Sequence, residues 1–398
     1  MNILASSPFC GLHNPITGVQ NRVINLIKEL EKRGNNVAIL QSNIFYDPAD
    51  KKFTNIYEYD DNKFLGRILP TTRDINPSFI LKLHKIVKNK NIDLIHISHP
   101  SGILISKLIT KLLKQKIIII YDAQNVESIF VKEVISSSPK FSKIESMMIS
   151  LYIRFLEQFT CKYFADHIIC PSSKDKKMFT KLYGINENKI SVIPSGAHMS
   201  SIWNEEKKEI IKKEFKIDKS KLIIFFHGSF LHPPNSEAIG LIENYLAPAF
   251  EEYNNVLFII CGTDVPKFER KNIISLGFVK SINKIISIAD IAIVPLLRGG
   301  GTKLKLFDYL RAGLPVVTTE KGAEGIDMKN REHAIIVDEV NEEFIDAIKF
   351  LIDNKNERKK IGENGRKLAI EKYDWNKIGE RLNSLYENIR KGFLNEDN

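Results

Sequence analysis

Eight consecutive residues in the second half of the chain have the composition of an anion-binding site. In order, they are Arg298, Gly299, Gly300, Gly301, Thr302, Lys303, Leu304 and Lys305. Where glycines follow one another, no side chain keeps a ligand away from the backbone amides, which donate hydrogen bonds to phosphate. The arginine and the two lysines add full positive charges. The stretch therefore predicts a site for a phosphate or a pyrophosphate.

A helix is predicted to begin directly after the glycines. Thr302 is of a residue type that favours helix N-caps, and the helix N-terminus would add a partial positive charge. Lys305 and Asp308 are three residues apart and therefore share one face of this helix. Asp308 is placed there to accept hydrogen bonds from two vicinal hydroxyls of a ribose. The alternative is an exposed ion pair between Lys305 and Asp308.

The elements around this helix indicate a parallel sheet. Residues 289–295, ADIAIVP, read as a buried strand, so the glycine loop follows the carboxyl end of a strand, where open parallel sheets bind ligands. Along the whole chain, apolar strands without polar alternation are separated by amphipathic helices. That pattern is typical of parallel sheets covered by helices on both faces. The predicted fold class is therefore α/β, with two Rossmann-like units.

The highly charged stretch 203–221 separates two such strand–helix series. We therefore expect one Rossmann-like domain over residues 1–205 and a second over 206–375. The remaining residues, 376–398, read as a charged helix that we expect to pack back on the first domain.

Charge is distributed unevenly between the two halves. Residues 1–200 contain 27 Lys and Arg against 17 Asp and Glu, which accounts for the whole net charge of +10. One interpretation is a compositional bias of the protein. The other is that the first domain faces an anionic surface, either a membrane or a nucleic acid. Nucleic-acid binding is the weaker of the two, because aromatic residues do not interleave with the basic ones and helix–turn–helix spacing is absent.

Cysteine usage and the N-terminus point to a cytoplasmic protein. The four cysteines are scattered without C-x-x-C spacing, so neither a disulfide framework nor a metal site is expected. The first residues, MNILASSPFCGLHNP, lack the basic and apolar regions of a signal peptide. No apolar run approaches the roughly 20 residues that span a bilayer.

Several segments together resemble a known family. RGGGTKLKLFDYLRAGLPVV, followed by TTEKGAEGI, is similar to the donor-binding signature of retaining glycosyltransferases of the GT-B fold, family four (glycosyl transferases group 1). The resemblance extends over nearly the whole chain through four further segments: FHGSFLHPPNSEAI, ADHIICPSSKDKKMF, KISVIPSGAH and YDAQNVES.

The resemblance implies two Rossmann-like domains whose sheets face a cleft between them. The C-terminal domain would hold a nucleotide diphosphate sugar, and the N-terminal domain the acceptor. A hexose would pass to a hydroxyl of a cell-surface glycan or lipid-linked saccharide with retention, and no obligatory metal would take part. Such an enzyme would be cytoplasmic or peripheral on the inner face of the membrane, with no nucleic acid among its partners.

The resemblance also implies roles for particular residues. The donor would be bound by Gly18, Gly228, Ser229, Phe278, Val279, Gly299, Gly300, Gly301, Thr302 and Asp308. The reaction would use Gln124, His99, Arg298, Lys303 and Lys305. An ordinary strand–helix turn also explains Gly18 and Gly228, and core packing also explains Phe278 and Val279.

Three departures from the family pattern leave an alternative open. Gly300 stands where the family often has a first acidic residue, and Gln124 stands in place of a histidine. The arginine and lysine that usually follow the first strand of the C-terminal domain are absent from GSFLHPPN. Glutamine can donate a hydrogen bond but cannot act as a general base. A catalytically silent protein that binds sugar nucleotides is therefore the alternative.

Overall fold

The computed structural model describes residues 1–6, 18–43, 55–60, 76–136, 142–198 and 205–395. Contacts divide the chain into two units. The first unit comprises Met1–Ser195 and Trp375–Asn398, and the second comprises Gly196–Asp374. Each unit is a parallel or nearly parallel sheet with helices packed on it, so the predicted α/β class with two Rossmann-like units is confirmed.

The described residues of the first unit form a seven-stranded parallel sheet. Its strands are β1 (Asn2–Ser6), β2 (Asn36–Ser42), β3 (Ile56–Tyr59), β4 (Leu94–Ile97), β5 (Ile118–Asp122), β6 (His167–Cys170) and β7 (Ile190–Val192). They lie side by side in the order β3-β2-β1-β4-β5-β6-β7.

The second unit has a seven-stranded sheet among its described residues. Its strands are β8 (Leu222–His227), β9 (Val256–Cys261), β10 (Phe268–Arg270), β11 (Ile273–Ser275), β12 (Ile291–Val294), β13 (Val316–Thr319) and β14 (Ile335–Val337). The order is β10-β11-β9-β8-β12-β13-β14, with β10 antiparallel to β11 and the other pairs parallel.

Helices connect the strands of both units. In the first unit they are α1 (Gly18–Lys32), α2 (Pro77–Asn89), α3 (Pro100–Leu112), α4 (Glu127–Ser136), α5 (Lys143–Tyr163) and α6 (Ser173–Tyr183). In the second they are α7 (Glu205–Glu214), α8 (Pro233–Leu241), α9 (Ile282–Ile288), α10 (Leu304–Arg311), α11 (Glu320–Ala323), α12 (Glu342–Asp353) and α13 (Lys355–Lys372). Short helical turns cover Glu187–Lys189, Ile242–Leu246 and Pro248–Phe250. The last helix, α14 (Trp375–Asn395), belongs to the first unit.

Burial on both faces explains why the strands read as continuous apolar runs. Every residue of β5 is buried. Ile119 and Tyr121 enter the core on one side of the first sheet, and Ile118 and Ile120 enter the core on the other. Helix α14 completes the second of these cores, where its residues Ile378 and Tyr386 join apolar side chains of α1.

Each sheet has a point where the strand order reverses, and open parallel sheets generally bind ligands at such points. In the second unit this point lies between β8 and β12, and in the first between β1 and β4. Residues 7–17, which follow β1 in the sequence, lie outside the described residues. His99 lies two residues after the end of β4, and the predicted glycine loop follows β12. The point between β8 and β12 is therefore the place to examine for a ligand site.

Candidate functional site

The glycine loop at the carboxyl end of β12 has a conformation that requires glycine. Gly299 has a φ of 106° and Gly301 a φ of 69°, which are left-handed values that other residues rarely adopt. The Lys303 ammonium donates to the carbonyls of Gly299, Gly300 and Gly301 at 2.8, 3.1 and 2.7 Å. Lys303 was predicted to face a phosphate, and the structure instead shows it bound to the carbonyls of this loop.

The prediction that Thr302 caps the following helix is wrong. Helix α10 begins at Leu304, its N-cap is Lys303, and the N-cap makes no side-chain hydrogen bond. The Thr302 hydroxyl is buried beside Gly325 and has no partner among the described residues. The reason is that the loop keeps non-helical backbone angles one residue longer than a threonine cap would require.

The N-terminus of α10 presents unused donors. Leu306 donates its amide to the Lys303 carbonyl at 3.0 Å. Within the described parts of the chain, the amides of residues 300–302, 304 and 305 have no acceptor in hydrogen-bonding distance. Because helix N-termini carry partial positive charge, such amides form a site for an anionic group.

Lys305 lies one residue inside α10 and reaches the end of β8. Its ammonium donates to Asn235 Oδ1 at 2.8 Å and lies 4.0 Å from the centre of the Phe226 ring. Burial, with a smaller contribution from the charge of Lys303, lowers the pKa of Lys305 to about 7. A half-buried ammonium whose described neighbours include no carboxylate gains stability when an anion binds beside it.

Asp308 also lies near the end of β8, where His227 stands. Its carboxylate pairs with Arg311 at 3.2 Å and not with Lys305, so the alternative of a Lys305–Asp308 ion pair is wrong. The His227 Nε2 atom lies 4.0 Å from Asp308 Oδ2. Burial raises the pKa of Asp308 above its usual value.

His227 is held as a neutral imidazole. Burial, with the nearby charges of Lys305 and Arg311, lowers its pKa to about 3. The hydroxyl of Tyr309 accepts the backbone N–H of His227 at 3.0 Å and lies 2.9 Å from His227 Nδ1. Since the buried hydroxyl proton needs an acceptor, Nδ1 accepts it and Nε2 carries the ring proton toward Asp308. This pair fixes α10 against β8.

The other residues predicted for the second unit have varied surroundings. Arg298 makes a two-pronged ion pair with Glu237, so its charge is already partnered. Phe278 is 66% exposed, which excludes core packing for its ring, whereas Val279 is half-buried against the core.

Gly228 packs so closely on Asn235 that an added Cβ would come within 2.7 Å of that side chain. The carbonyl of Ser229 accepts from the Asn235 amide at 3.1 Å.

In the first unit, Gln124 belongs to a buried polar network. The Gln124 amide donates to Asp122 Oδ2 at 2.7 Å, and Arg22 donates to Asp122 Oδ1 at 2.8 and 3.1 Å. His96 Nε2 lies 3.3 Å from Asp122 Oδ2, and His96 Nδ1 lies 2.6 Å from the hydroxyl of Tyr386 on α14. Burial alone would raise the pKa of Asp122, but the Arg22 charge and the His96 hydrogen bond hold it well below its usual value.

His99 and Gly18 stand at helix starts of the first unit. His99 is the N-cap of α3, is buried, and has Nδ1 at 3.1 Å from Ser101 Oγ. Burial lowers its pKa to about 3, so it is neutral near pH 7 and is no proton donor in imidazolium form. Gly18 is the first residue of α1.

Sequence reasoning missed the residues that position the predicted ones. Asn235 and Tyr309 hold Lys305 and His227, and Asp122 with Arg22 holds Gln124. Asn235 lies inside FHGSFLHPPNSEAI, and Asp122 lies two residues before Gln124, so both stood within segments that already attracted attention. Arg22 had no such signal, because polar residues such as Asn25 and Glu29 also lie on its side of α1.

Two findings concern the described residues as a whole. None of the described helices combines the length and apolarity that crossing a membrane would require. Within the same residues, no three His, Cys, Asp or Glu side chains come together as a metal-binding group.

Comparisons with known proteins match both halves of the chain. The model described as Glycosyltransferase Family 4 matches residues 16–200, and the model described as Glycosyl transferases group 1 matches residues 221–354. An uncharacterised glycosyltransferase of Methanocaldococcus jannaschii is 23% identical over 387 residues, which cover 91% of this chain and 87% of that protein.

A second relative and a solved structure add detail. The UDP-Gal:α-D-GlcNAc-diphosphoundecaprenol α-1,3-galactosyltransferase of Escherichia coli is 24% identical over 236 residues, which cover 54% of this chain and 58% of that enzyme. HepE of Anabaena, solved in complex with UDP-glucose, has a TM-score of 0.69 at 14% identity and covers 98% of this chain and 100% of its own. At that identity the similarity to HepE concerns the fold.

Proposed function

We propose that this chain, which belongs to the glycosyltransferases of the GT-B fold, transfers a hexose from a nucleoside diphosphate sugar to a hydroxyl acceptor with retention of the anomeric configuration. The class itself follows from the two family models, which match glycosyltransferase domains in both halves of the chain. The donor, the stereochemistry and the roles of individual residues are the proposal.

The observation that carries the proposal is the state of Lys305. Its ammonium lies against Phe226 with one hydrogen bond to Asn235, and its pKa is lowered to about 7 mainly by burial. A diphosphate bound at the N-terminus of α10 would restore the lost solvation and hold Lys305 in its charged form. The unused amides of α10 would bind the same group.

Neighbouring residues complete the proposed donor site. Lys303 holds the glycine carbonyls, which leaves the amides of the loop for the diphosphate. Asp308 accepts hydrogen bonds from the ribose hydroxyls and gives up part of its pairing with Arg311 to do so. Phe278, with its exposed ring, flanks the nucleobase. Arg298 stays with Glu237 and contributes less than the sequence led us to expect.

The reaction itself is a substitution at the anomeric carbon. The bond between that carbon and the diphosphate oxygen breaks, a bond to the acceptor oxygen forms, and the acceptor proton passes to the departing phosphate. Lys305 and the helix N-terminus stabilise the negative charge that develops on the diphosphate, a contribution that is often large in enzymes. No protein-held metal is part of the proposal.

Residues of the first unit orient the sugar and the acceptor in this proposal. Because the Gln124 amide is engaged by Asp122, its carbonyl oxygen is the end that accepts a hydrogen bond from a sugar hydroxyl. Asp122 and Arg22 act as positioning residues for Gln124. His99 contributes as a neutral imidazole, because its pKa is lowered to about 3 by burial.

The proposed acceptor is a cell-surface glycan precursor or a lipid-linked saccharide. The E. coli relative is named for a lipid diphosphate-linked acceptor, and the excess of basic residues in positions 1–200 suits an anionic membrane surface. We therefore propose a cytoplasmic enzyme that associates peripherally with the inner face of the membrane.

The test is a thermal-shift screen with UDP, UDP-glucose and other nucleoside diphosphates, followed by a transfer assay. A ligand at 100 times its dissociation constant stabilises the fold by about 2.7 kcal/mol. Lys305→Ala should remove most of that shift, whereas Lys360→Ala, an exposed lysine on α13, should not. Absence of stabilisation by every nucleoside diphosphate would refute the donor site.

A catalytically silent sugar-nucleotide-binding protein is the second candidate, favoured by Gly300 and Gln124 in place of the usual acidic residue and histidine. It predicts the same thermal shift with UDP-glucose. It also predicts that the unaltered protein hydrolyses or transfers the sugar no faster than the Lys305→Ala variant does. A faster rate in the unaltered protein would identify it as an enzyme.

A further inference from the structure

Helix α5 of the first unit has a continuous apolar face that no described part of the chain covers. Its large apolar residues are 37–69% exposed. They are Ile144, Met147, Met148, Leu151, Tyr152, Phe155, Phe159 and Tyr163. They recur at intervals of one, three and four residues and therefore form one stripe along the helix.

The opposite face of α5 explains why the helix is held in place. Ile153, Leu156 and Cys161 are buried, as is Glu157. Glu157 accepts from the hydroxyl of Tyr121 at 3.0 Å and from the amide of Glu127 at 3.1 Å. A helix of 21 residues is about 31 Å long, so the exposed stripe is a long strip on a fixed support. Soluble proteins expose contiguous apolar surface of this kind mainly at interaction sites.

Aromatic rings organise the C-terminal half of this face. Phe155 and Phe159 stack at 5.7 Å between ring centres, and Phe159 and Tyr163 follow at 5.3 Å. Tyrosine is a residue that favours the boundary between hydrocarbon and water, because its ring is apolar and its hydroxyl polar. The stripe therefore combines aliphatic residues suited to hydrocarbon with tyrosines suited to its edge.

The charges on α5 favour a lipid surface over a second copy of this chain as the partner that covers the apolar face. The exposed cations of α5 are Lys143, Arg154 and Lys162, against one exposed acid, Glu145. The same half of the chain holds the whole excess of Lys and Arg. Two copies meeting through α5 would bring like charges together, whereas anionic headgroups would attract them.

We propose that α5 lies in the plane of an anionic bilayer, with its apolar face among the upper acyl chains and its cations at the headgroups. This inference rests on the membrane association in the proposed function but not on the transfer reaction. It identifies the segment that inserts, which an excess of charge alone does not.

The test is sedimentation of the full chain with phosphatidylcholine vesicles that contain about 30% phosphatidylglycerol, against phosphatidylcholine alone. Leu151→Glu and Phe155→Glu should each weaken partition by about tenfold or more, because each removes a large side chain from hydrocarbon and adds a charge. Ile210→Glu is the matched control, since Ile210 is 68% exposed on α7 of the second unit. It should bind vesicles like the unaltered protein.

A second measurement does not depend on a charged substitution. The fluorescence of Leu151→Trp should shift to shorter wavelength when the anionic vesicles are added, and the lipid-free protein should sediment as a monomer.

Unchanged partition of both glutamate variants would overturn the proposal. So would a lipid-free dimer that Leu151→Glu dissociates, because a second copy would then cover the face. UDP-glucose thermal shifts of the α5 variants stay normal in either case, so failure here is distinct from failure of the donor site.

Discussion

Two polar clusters stand at the carboxyl ends of parallel strands, one in each unit, and they differ in how completely their groups are paired. In the first unit, Asp122 accepts from Arg22, Gln124 and His96 within a core that excludes water. In the second, Lys305 has one hydrogen bond to an amide oxygen and, within the described residues, no carboxylate partner. The α10 amides beside it are also without acceptors among the described residues.

The difference is between a cluster whose charges are paired within the fold and one whose cation has no opposite charge among the described residues. A buried charge that is fully paired fixes the position of its neighbours. Its pKa shifts in the direction that favours the charged form, so the pKa of the Asp122 carboxyl is lowered. A charged group that is removed from water without an opposite charge has a pKa that shifts to favour the neutral form, so the pKa of Lys305 is lowered. The second situation is costly for the unliganded protein and would be relieved by a bound anion, which is the basis for proposing a donor site at Lys305.

The largest expected effect comes from breaking the paired cluster. Asp122→Ala leaves the Arg22 charge buried without its partner, and removing one member of such a pair typically costs about 3–5 kcal/mol. Urea unfolding followed through Trp375, which is buried in the first unit, measures this loss.

The control for Asp122→Ala removes both charges. Arg22→Met combined with Asp122→Leu should unfold at a higher urea concentration than Asp122→Ala, because no unpaired charge remains. Binding of UDP, which lacks the sugar, to the second unit should be nearly unchanged in the folded variants. If Asp122→Ala were as stable as the unaltered protein, the contrast between the two clusters would fail.

The next effect concerns ribose recognition by Asp308. Asp308→Ala should weaken binding of UDP by about 1.5–3 kcal/mol, the range for hydrogen bonds that involve a charged group. Binding of 2′-deoxy-UDP should be less sensitive to the same change. Calorimetric titration of both nucleotides measures the difference, and equal losses would instead assign Asp308 a role in holding Arg311.

A smaller effect is expected from pH. In the free protein Lys305 releases its proton as pH rises through about 7, whereas a bound diphosphate favours the protonated form. Binding above pH 7 then takes up a proton, so affinity for UDP should fall by up to about tenfold per pH unit. Titration in buffers of different ionisation enthalpy measures the uptake. Lys305→Ala should lose this dependence, and a persistent pH slope in that variant would assign it to another group.

The sequence predicted the fold better than the site, for reasons visible in individual elements. Strands such as β5 and β12 are buried on both faces and so read as unbroken apolar runs. Strands β3 and β10 stand at sheet edges, and their segments IYEY and FER lack such a run and are hard to recognise from sequence. Burial, more than length, made a strand recognisable.

The contacts of the two predicted lysines could not be told apart from the sequence. Lys303 and Lys305 both follow the glycine loop, and only the backbone path shows that one turns back to the loop carbonyls and the other reaches β8. The partners that decide this are distant in sequence. Asn235 is 70 residues from Lys305, and Glu237 is 61 residues from Arg298. Spacing within one helix carries no information about such contacts.

The smallest expected effect tests whether the two units also differ in how their surface charge is used. Lys82, Lys85 and Lys88 lie on α2 of the first unit, and the last two are exposed. Each Lys→Gln change should weaken partition onto anionic vesicles by about fivefold or less, because one lysine near such a surface contributes little and salt screens it. The same changes at Lys359 and Lys367, exposed on α13, should have no effect. Since the α5 face would still insert, partition of the α2 variants should decline gradually with salt and not vanish. If the α13 variants lost as much as the α2 variants, attraction would come from total charge, and the first unit would not be the side that meets the membrane.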